Sequence, residues 1–478
     1  MQKSDLNRVN KYLWEIPKSY RKKMKVPVRI YASEKLLKNI FEDKSLPQLV
    51  NVASLPGIVK HALGMPDVHQ GYGAPIGGVG ATKFPDGLIS PGFIGFDENC
   101  GVRLLKTSYS AEEINKQVEN LATEMQRRVP SGVGTGRDLK FNRNELDKIL
   151  RRGVERLVEK GYAREEDVEN CESSGRMKQA DPSAVSDEAK GRGEDQLGTL
   201  GSGNHFLEIQ EVDQIFNEEV AQEFKLSEGQ AVVMIHTGSR GFGHQVCTDY
   251  LDTIKKAVGK YNINLPDKNL AGIPLNTSEG KRFFKAMSCS ANYAWSNRQM
   301  ITHFVRKAWK SVLGKENLKL LYDVAHNIAK VEEHVVNGDK QKLIVHRKGA
   351  TRAFPPSHPE LPEHYKEVGQ PVLVPGSMGT SSYVCVGTEQ SKETFHSVNH
   401  GAGRVMSRNA AVDQFPGQKV VKDLEDRGIT VKFKDYKGIA EEASGAYKNV
   451  NEVVKVVNKA GLSKKVARLK PLAVIKGE

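Results

Sequence analysis

Short apolar runs broken by glycine fill the first third of the chain. From Gly71 to Gly101 a glycine recurs every few residues, and short apolar pieces such as Val102-Arg-Leu-Leu105 adjoin them. That pattern predicts strands joined by tight turns. Ser110-Ala-Glu-Glu113 is a capping box that opens a helix running to about Arg128. Residues 144–160 carry helical periodicity, whereas 161–195 are charged and irregular. Leu207–Ile209 and Ala231–Ile235 predict strands, 243–261 a helix, and 280–312 one long helix or two shorter ones. Further strands are expected at 318–322, 343–345 and 371–374. Prolines at 355, 356, 359, 362 and 371 mark an ordered loop across 354–371. Strands and helices alternate irregularly, without repeats or a long linker. The expectation is a mixed α/β fold, with residues 1–478 forming one compact domain.

Composition narrows the partners. The chain has 478 residues and a net charge of +13. A basic surface attracts polyanions, which favours nucleic acid or nucleotide. Five cysteines (Cys100, Cys171, Cys247, Cys289, Cys385) stand singly, with no CxxC pair. An odd, scattered count argues against a disulfide framework and for a reducing, cytoplasmic setting. The N-terminal 20 residues lack a signal-peptide core, and no apolar run approaches a membrane span.

Four separated segments share one context: a metal-ligand side chain at the end of an apolar run or beside glycine. They are Asp97-Glu-Asn-Cys100, Gly203-Asn-His205, Ile235-His236-Thr-Gly238 and Val324-Ala-His326. Asp97, Cys100, His205, His236 and His326 thereby form a candidate site for one or two divalent ions, with a thiolate able to bridge a pair. These ligand types leave Mn²⁺, Zn²⁺ and Co²⁺ open and favour zinc by the usual affinity order. Asp67 and His69 are candidates for supporting partners. The other histidines (His244, His303, His334, His358, His364, His396) and the other four cysteines lack that context and read as structural.

A second set of elements suits phosphate. His400-Gly-Ala-Gly-Arg404 puts a histidine, two glycines and an arginine in five residues, ahead of a helix-compatible run at 405–412. Histidine is a nucleophile near neutral pH; glycines admit a phosphate to the backbone, and arginine can clamp it. Pro375 to Ser382 is a Gly/Ser-rich loop after a strand. His236-Thr-Gly-Ser-Arg240 and His346-Arg-Lys-Gly349 place cations beside glycine. A guanine pocket needs a carboxylate and a donor on opposite edges of the base. Glu208 can supply the first and Lys476 the second, because the apolar Leu472–Ile475 stretch predicts that the tail docks.

Together these segments resemble the RtcB family of GTP-dependent RNA ligases. The motifs that carry the match are PDVHQGYGAPIGG (66–78), GFDENCGVR (95–103), LGTLGSGNHFLEI (197–209), MIHTGSRGFGHQ (234–245), DVAHNIAK (323–330), HRKGATRAFPP (346–356), PGSMGTSSYV (375–384), HGAGR (400–404), EEASGAYKNV (441–450) and the terminal AVIKG. The resemblance runs from about residue 50 to the end, and the first ~45 residues match loosely. It implies an α/β domain of β-sheets with peripheral helices. It implies joining of RNA 3′-phosphate or 2′,3′-cyclic phosphate ends to 5′-hydroxyl ends, in tRNA splicing or RNA repair. It implies two Mn²⁺ on Asp97, Cys100, His205, His236 and His326, and His400 as the residue that becomes guanylylated. By the same likeness Asn204, Glu208, Ser377, Ser382, Gly401, Ala402, Gly403, Arg404, Tyr447 and Lys476 form the GMP pocket. Arg192, Arg240, Lys348 and Arg408 are implied RNA-phosphate contacts, and an archease-type activator is an implied partner. Glu98 departs from the family pattern, where an apolar residue is common, and is expected to add charge near the metals.

Two other readings use the same residues. A two-metal cyclic phosphodiesterase needs the ligands and leaves the 400–404 loop and Lys476 without a purpose. A non-catalytic RNA-binding protein needs only the basic surface.

Overall fold

The computed structural model describes residues 1–477 and has a mixed α/β architecture. Two large sheets organise it. One runs in the spatial order Asn7–Arg8, Leu13–Ile16, Val28–Tyr31, Ile58–His69, Ile76–Lys83, Asp339–Lys348, Asn327–Val336. The loosely matched N-terminal segment therefore supplies three of its strands. The other sheet runs Lys319–Ala325, Gly101–Ser110, Gln230–Thr237, Phe206–Ile215, Ser463–Lys476, Ser382–Gly387, Pro371–Val374, and Thr430–Lys432 pairs parallel to the terminal strand. Its order bears no relation to chain order.

The expected elements are present, with boundaries moved for physical reasons. Ser110 makes the capping box, but the helix relaxes to a 3₁₀ turn at Asn115–Gln117 before Val118–Arg128 resumes. Residues 144–160 form two helices, Arg143–Arg152 and Val154–Glu159. Gly153 divides them at φ 58°, a left-handed value that a continuous helix cannot contain. The irregular 161–195 segment holds short helices at Glu165–Glu169 and Asp187–Gly193. The helix expected from 243 starts at Arg240. The run at 405–412 becomes helical only at Arg408–Gln414, behind a Ser407 N-cap.

Residues 278–313 form a single helix, Ser278–Leu313, capped by Thr277 and closed by Gly314 in the left-handed region. It is buried over most of its length, including Trp295 and Trp309. Its interior polar side chains hold loops that have no ladder of their own. Asn292 accepts from Met177 N–H, and Asn297 accepts from Gly198 N–H and donates to Gly238 O. Among the described residues no helix is long and apolar enough to cross a membrane.

Buried charge fastens the same region. Glu172 accepts from Ala325 N–H, one residue before His326, and pairs with Lys330 and Arg352. Burial opposes its charge, but Lys330, Arg352 and the Ala325 N–H outweigh that and hold its carboxyl at about 2. Its folded pKa is depressed, so its contribution is present above the unfolded value near 4.5 and is lost as pH falls toward 2. That contribution is about 3 kcal/mol. Glu172→Gln should therefore destabilise the protein by about 3–5 kcal/mol at pH 7, and the gap to wild type should narrow as pH falls below 4.5. Denaturant unfolding at a series of pH values reads this; a gap that does not change with pH contradicts it.

Candidate active site

The sheet order brings the scattered ligands into one row. Val102 pairs with His236, and His236 with Phe206; on the other side Gly101 pairs with Ala325. Hence His326, Cys100, His236 and His205 stand at the same end of four adjacent strands. The sulfur of Cys100 lies 3.3 Å from Nε2 of His205 and 3.3 Å from Nε2 of His236. Nε2 of His236 is 3.4 Å from Nε2 of His326, and Nε2 of His205 is 2.9 Å from Oδ2 of Asp97. The donors fall into two groups, Cys100/His236/His326 and Asp97/Cys100/His205, which share the thiol.

A divalent pair fits this donor set. All three imidazoles point Nε2 inward. Burial pushes His236 and His326 down, so both rings are neutral. Burial opposes ionisation of Asp97 too, but His205 outweighs it and holds the carboxyl at about 2. Burial and the Asp97 carboxylate push the Cys100 thiol up, so a thiolate there needs a cation to compensate it. Gly238 admits Asp97, because a Cβ at that position would overlap the carboxylate. Arg298, fully buried in the long helix, pairs with Asp323 at 2.8 Å and donates to the carbonyls of Asn99 and Thr237, beside Cys100 and His236. Glu98 is fully buried, and burial, then Asp97, raise its carboxyl to about 8, which opposes the charge expected of it.

His400 stands beside this row, its ring 4.9 Å from that of His326 between centroids. It follows the short strand Ser397–Asn399, which pairs with Ala350–Arg352. Asp67 receives it directly. Oδ2 of Asp67 is 2.6 Å from His400 Nδ1 and accepts the backbone N–H groups of His400 and Gly401 at 3.0 and 3.3 Å. An oxygen already taking two backbone donors acts as an acceptor, so Nδ1 carries the proton and Nε2 carries the lone pair. The loop glycines therefore have a different first task from the one expected. Gly401 N–H serves Asp67, and Gly403, at φ 73°, packs where a Cβ would overlap the Asp67 backbone.

A cavity of about 490 Å³ joins the two features. Asp97, Cys100, His236, His326 and His400 line it, as do Asn204, Ser377, Gly401, Ala402, Gly403, Arg404, Tyr447, Lys476, Lys348 and Arg408. Lys476 is 2% exposed, pairs in register with Phe206, and donates to Gly203 O at 2.6 Å; the tail docks. The 375–382 loop is a strand-to-strand turn that also forms cavity wall. Arg404 is engaged within the protein. It donates to Glu442 at 3.2 Å, to the Tyr447 hydroxyl at 3.1 Å and to Glu441 O at 2.9 Å.

Glu208, Ser382, Arg192 and Arg240 stand outside the cavity lining, whereas Lys348 and Arg408 are part of it. Burial raises Glu208 to about 7, and Gln210 Nε2 donates both to Glu208 at 2.6 Å and to Ser382 Oγ at 3.2 Å. Arg240 donates to Thr199 Oγ1 and Gly132 O, and Arg192 to Gln245. Lys348 directs its ammonium to the carbonyls of Tyr72 and Gly92. Arg408 is the exposed cation at the rim, 3.9 Å from Glu442. Sequence reasoning missed Glu442, a buried carboxylate that faces Arg404, Tyr447, Arg408 and Lys476. Its position within EEASGAYKNV was the available signal. It also left as structural His244, which lines the cavity and stacks on Phe96.

Paired donor groups sharing a thiol, next to a carboxylate-held histidine in one cavity, are a donor set suited to metal-assisted group transfer. Comparisons identify the kind. The family model described as tRNA-splicing ligase RtcB matches residues 48–477. The chain is 51% identical over 477 residues to the tRNA-splicing ligase RtcB of Thermococcus kodakarensis, covering 99% of both chains. It is 52% identical to the tRNA-splicing ligase RtcB of Archaeoglobus fulgidus over 477 residues, again covering 99% of both. It is 50% identical over 438 residues to the RNA-splicing ligase RtcB homolog 1 of Entamoeba dispar, covering 90% of this chain and 81% of that one. The chain belongs to the RtcB family, and its activity is that of an RNA ligase.

Were each donor group to hold one cation with Cys100 common to both, metal loss would be graded. Cys100→Ala should lose both metal equivalents, whereas His326→Ala and Asp97→Ala should each lose one. Metal content of the purified variants measures this; full occupancy in Cys100→Ala contradicts the shared thiolate.

Proposed function

We propose that this chain joins RNA 3′-phosphate or 2′,3′-cyclic phosphate ends to 5′-hydroxyl ends through a guanylylated His400, with GTP as the activating substrate. The Asp67–His400 pair beside the metal donors supports this reading best. Nε2 of His400 attacks the α-phosphorus of GTP, and pyrophosphate leaves. The imidazole gains positive charge as the P–N bond forms, and the Asp67 carboxylate on Nδ1 offsets it without a proton having to depart. The RNA 3′-phosphate then attacks the same phosphorus. The P–N bond breaks, neutral imidazole leaves, and the RNA end carries a GMP cap through a pyrophosphate. The 5′-hydroxyl displaces GMP and closes the 3′,5′ linkage. A cyclic end is first hydrolysed to the 3′-phosphate.

Asp97, Cys100, His205, His236 and His326 would hold two divalent cations, Mn²⁺ in this reading, which supply charge stabilisation at the reacting phosphates when bound. Tyr447 offers a ring for the guanine, and Glu208 and Lys476 lie on the same stretch of sheet to read its edges. Asn204, Ser377, Ser382 and the 401–404 loop complete the nucleotide pocket. Arg192, Arg240, Lys348 and Arg408 serve RNA phosphates, Arg408 from the rim. The unit is the whole chain, 1–478, working in the cytoplasm with an archease-type activator and with tRNA halves or broken RNA as substrates. A cyclic phosphodiesterase would leave Asp67, His400 and the docked Lys476 unused.

His400→Ala should fail to join a 3′-phosphate RNA to a 5′-hydroxyl RNA with GTP. The same variant should seal an RNA whose 3′ end already carries the GMP cap. Gel assays of both substrates test this, and joining of unactivated ends at the wild-type rate overturns the carrier role. Lys476→Met should raise the GTP concentration for half-maximal rate by about 10- to 100-fold, the cost of one charged hydrogen bond. An unchanged GTP requirement removes Lys476 from the pocket.

A further inference from the structure

Asp67 sits on an irregular stretch. The strand Ile58–His69 pairs with Ile76–Lys83 through Gly64↔Gly78 and again at His69↔Ile76, with the register broken in between. Residues 65–68 therefore bulge out of the ladder, which turns the Asp67 side chain toward His400. A bulge leaves carbonyls without ladder partners and needs something else to hold its shape. Here that partner comes from 380 residues away. The Lys448 ammonium, buried at 6% exposure, donates to the carbonyls of Val68 and, at 3.3 Å, of Pro66, on either side of Asp67. His69 Nδ1 lies 2.8 Å from the Asp67 carbonyl. Lys448 also donates its backbone N–H to Gly403 O at 2.8 Å, within the loop that carries His400. One residue thus ties the bulge that bears the carboxylate to the loop that bears the nucleophile.

We propose that Lys448 is a positioning residue for the guanylylation step, fixing the Asp67 carboxylate on Nδ1 of His400 so that Nε2 faces the α-phosphorus of GTP. The proposal rests on the reading of His400 as nucleophile. Lys448 acts on no substrate atom; its effect passes wholly through Asp67. Removing it should cost the rate of P–N bond formation and leave nucleotide affinity alone. A displacement of about 1 Å at a reacting pair costs roughly 100-fold.

The test is single-turnover labelling of the full-length, metal-loaded protein with α-labelled GTP, across a range of GTP concentrations. Lys448→Met, Asp67→Ala, the double variant and His400→Ala are compared, with melting temperature and metal content measured on each. Lys448→Met should slow labelling roughly 100-fold with the half-saturating GTP unchanged, and the double variant should be no slower than Asp67→Ala alone. Lys448→Gln, which keeps one amide donor, should fall between wild type and Lys448→Met, and it replaces Lys448→Met in the cycle if that protein does not fold. Labelling of Lys448→Met within twofold of wild type overturns the proposal. So does a double variant in which the two losses multiply, or a loss expressed only as weaker GTP binding. Labelling of His400→Ala at wild-type yield instead overturns the nucleophile reading, whatever the Lys448 variants do.

Discussion

Backbone pairing of four strands is the constraint on which the site depends. In chain order the donors stand at 97–100, 205, 236 and 326. In the sheet their strands lie side by side, and the His236 position pairs with both Val102 and Phe206. Strand spacing of about 5 Å then sets the distance between donor side chains. Neither the thiol nor the imidazoles could find one another without that register, because a one-residue slip sends every side chain to the other face. The terminal strand extends the row by one more position and carries Lys476 into the cavity.

Buried charge makes the row rigid. Arg298 and Arg103 share Asp323, and Arg298 also holds the carbonyls next to Cys100 and His236. Glu172 pins the N–H just before His326. Pairs of this kind contribute little net stability compared with apolar packing, yet losing one partner is costly. Their use here is positional. Arg298 and Glu172 end on backbone groups adjacent to donors, so the donors are oriented without a cation. The same logic recurs at His400, where Arg347 holds the Ser397 hydroxyl and the Phe395 carbonyl at 2.8 Å each, just upstream of that histidine.

Much of this was legible in the chain. Asp97, Cys100, His205, His236 and His326 share a context, the end of an apolar run or a nearby glycine, and the last four stand at or next to strand ends. The capping box at Ser110 and the periodicity of 278–313 survive because local signals and tertiary packing agree there. What was not legible depends on long-range geometry. Asp67 could be marked as a partner, but its attachment to His400 requires a bulge that no local pattern encodes. The free donors expected of Gly401 and Arg404 are committed to Asp67, Glu442 and Tyr447. Glu98 looked like added charge, and only the fold reveals the burial that opposes it. Gly153 splits a helix that periodicity alone would continue.

The proposed reaction turns on a covalent bond between His400 and the α-phosphorus of GTP. The direct measurement is intact-mass spectrometry of the purified protein after incubation with GTP and Mn²⁺, followed by peptide mapping under conditions that preserve phosphoramidates. A single added GMP is expected, located on His400 and lost on mild acid treatment. An unmodified protein in a preparation that ligates RNA with GTP, or a GMP located on any other residue, would contradict it.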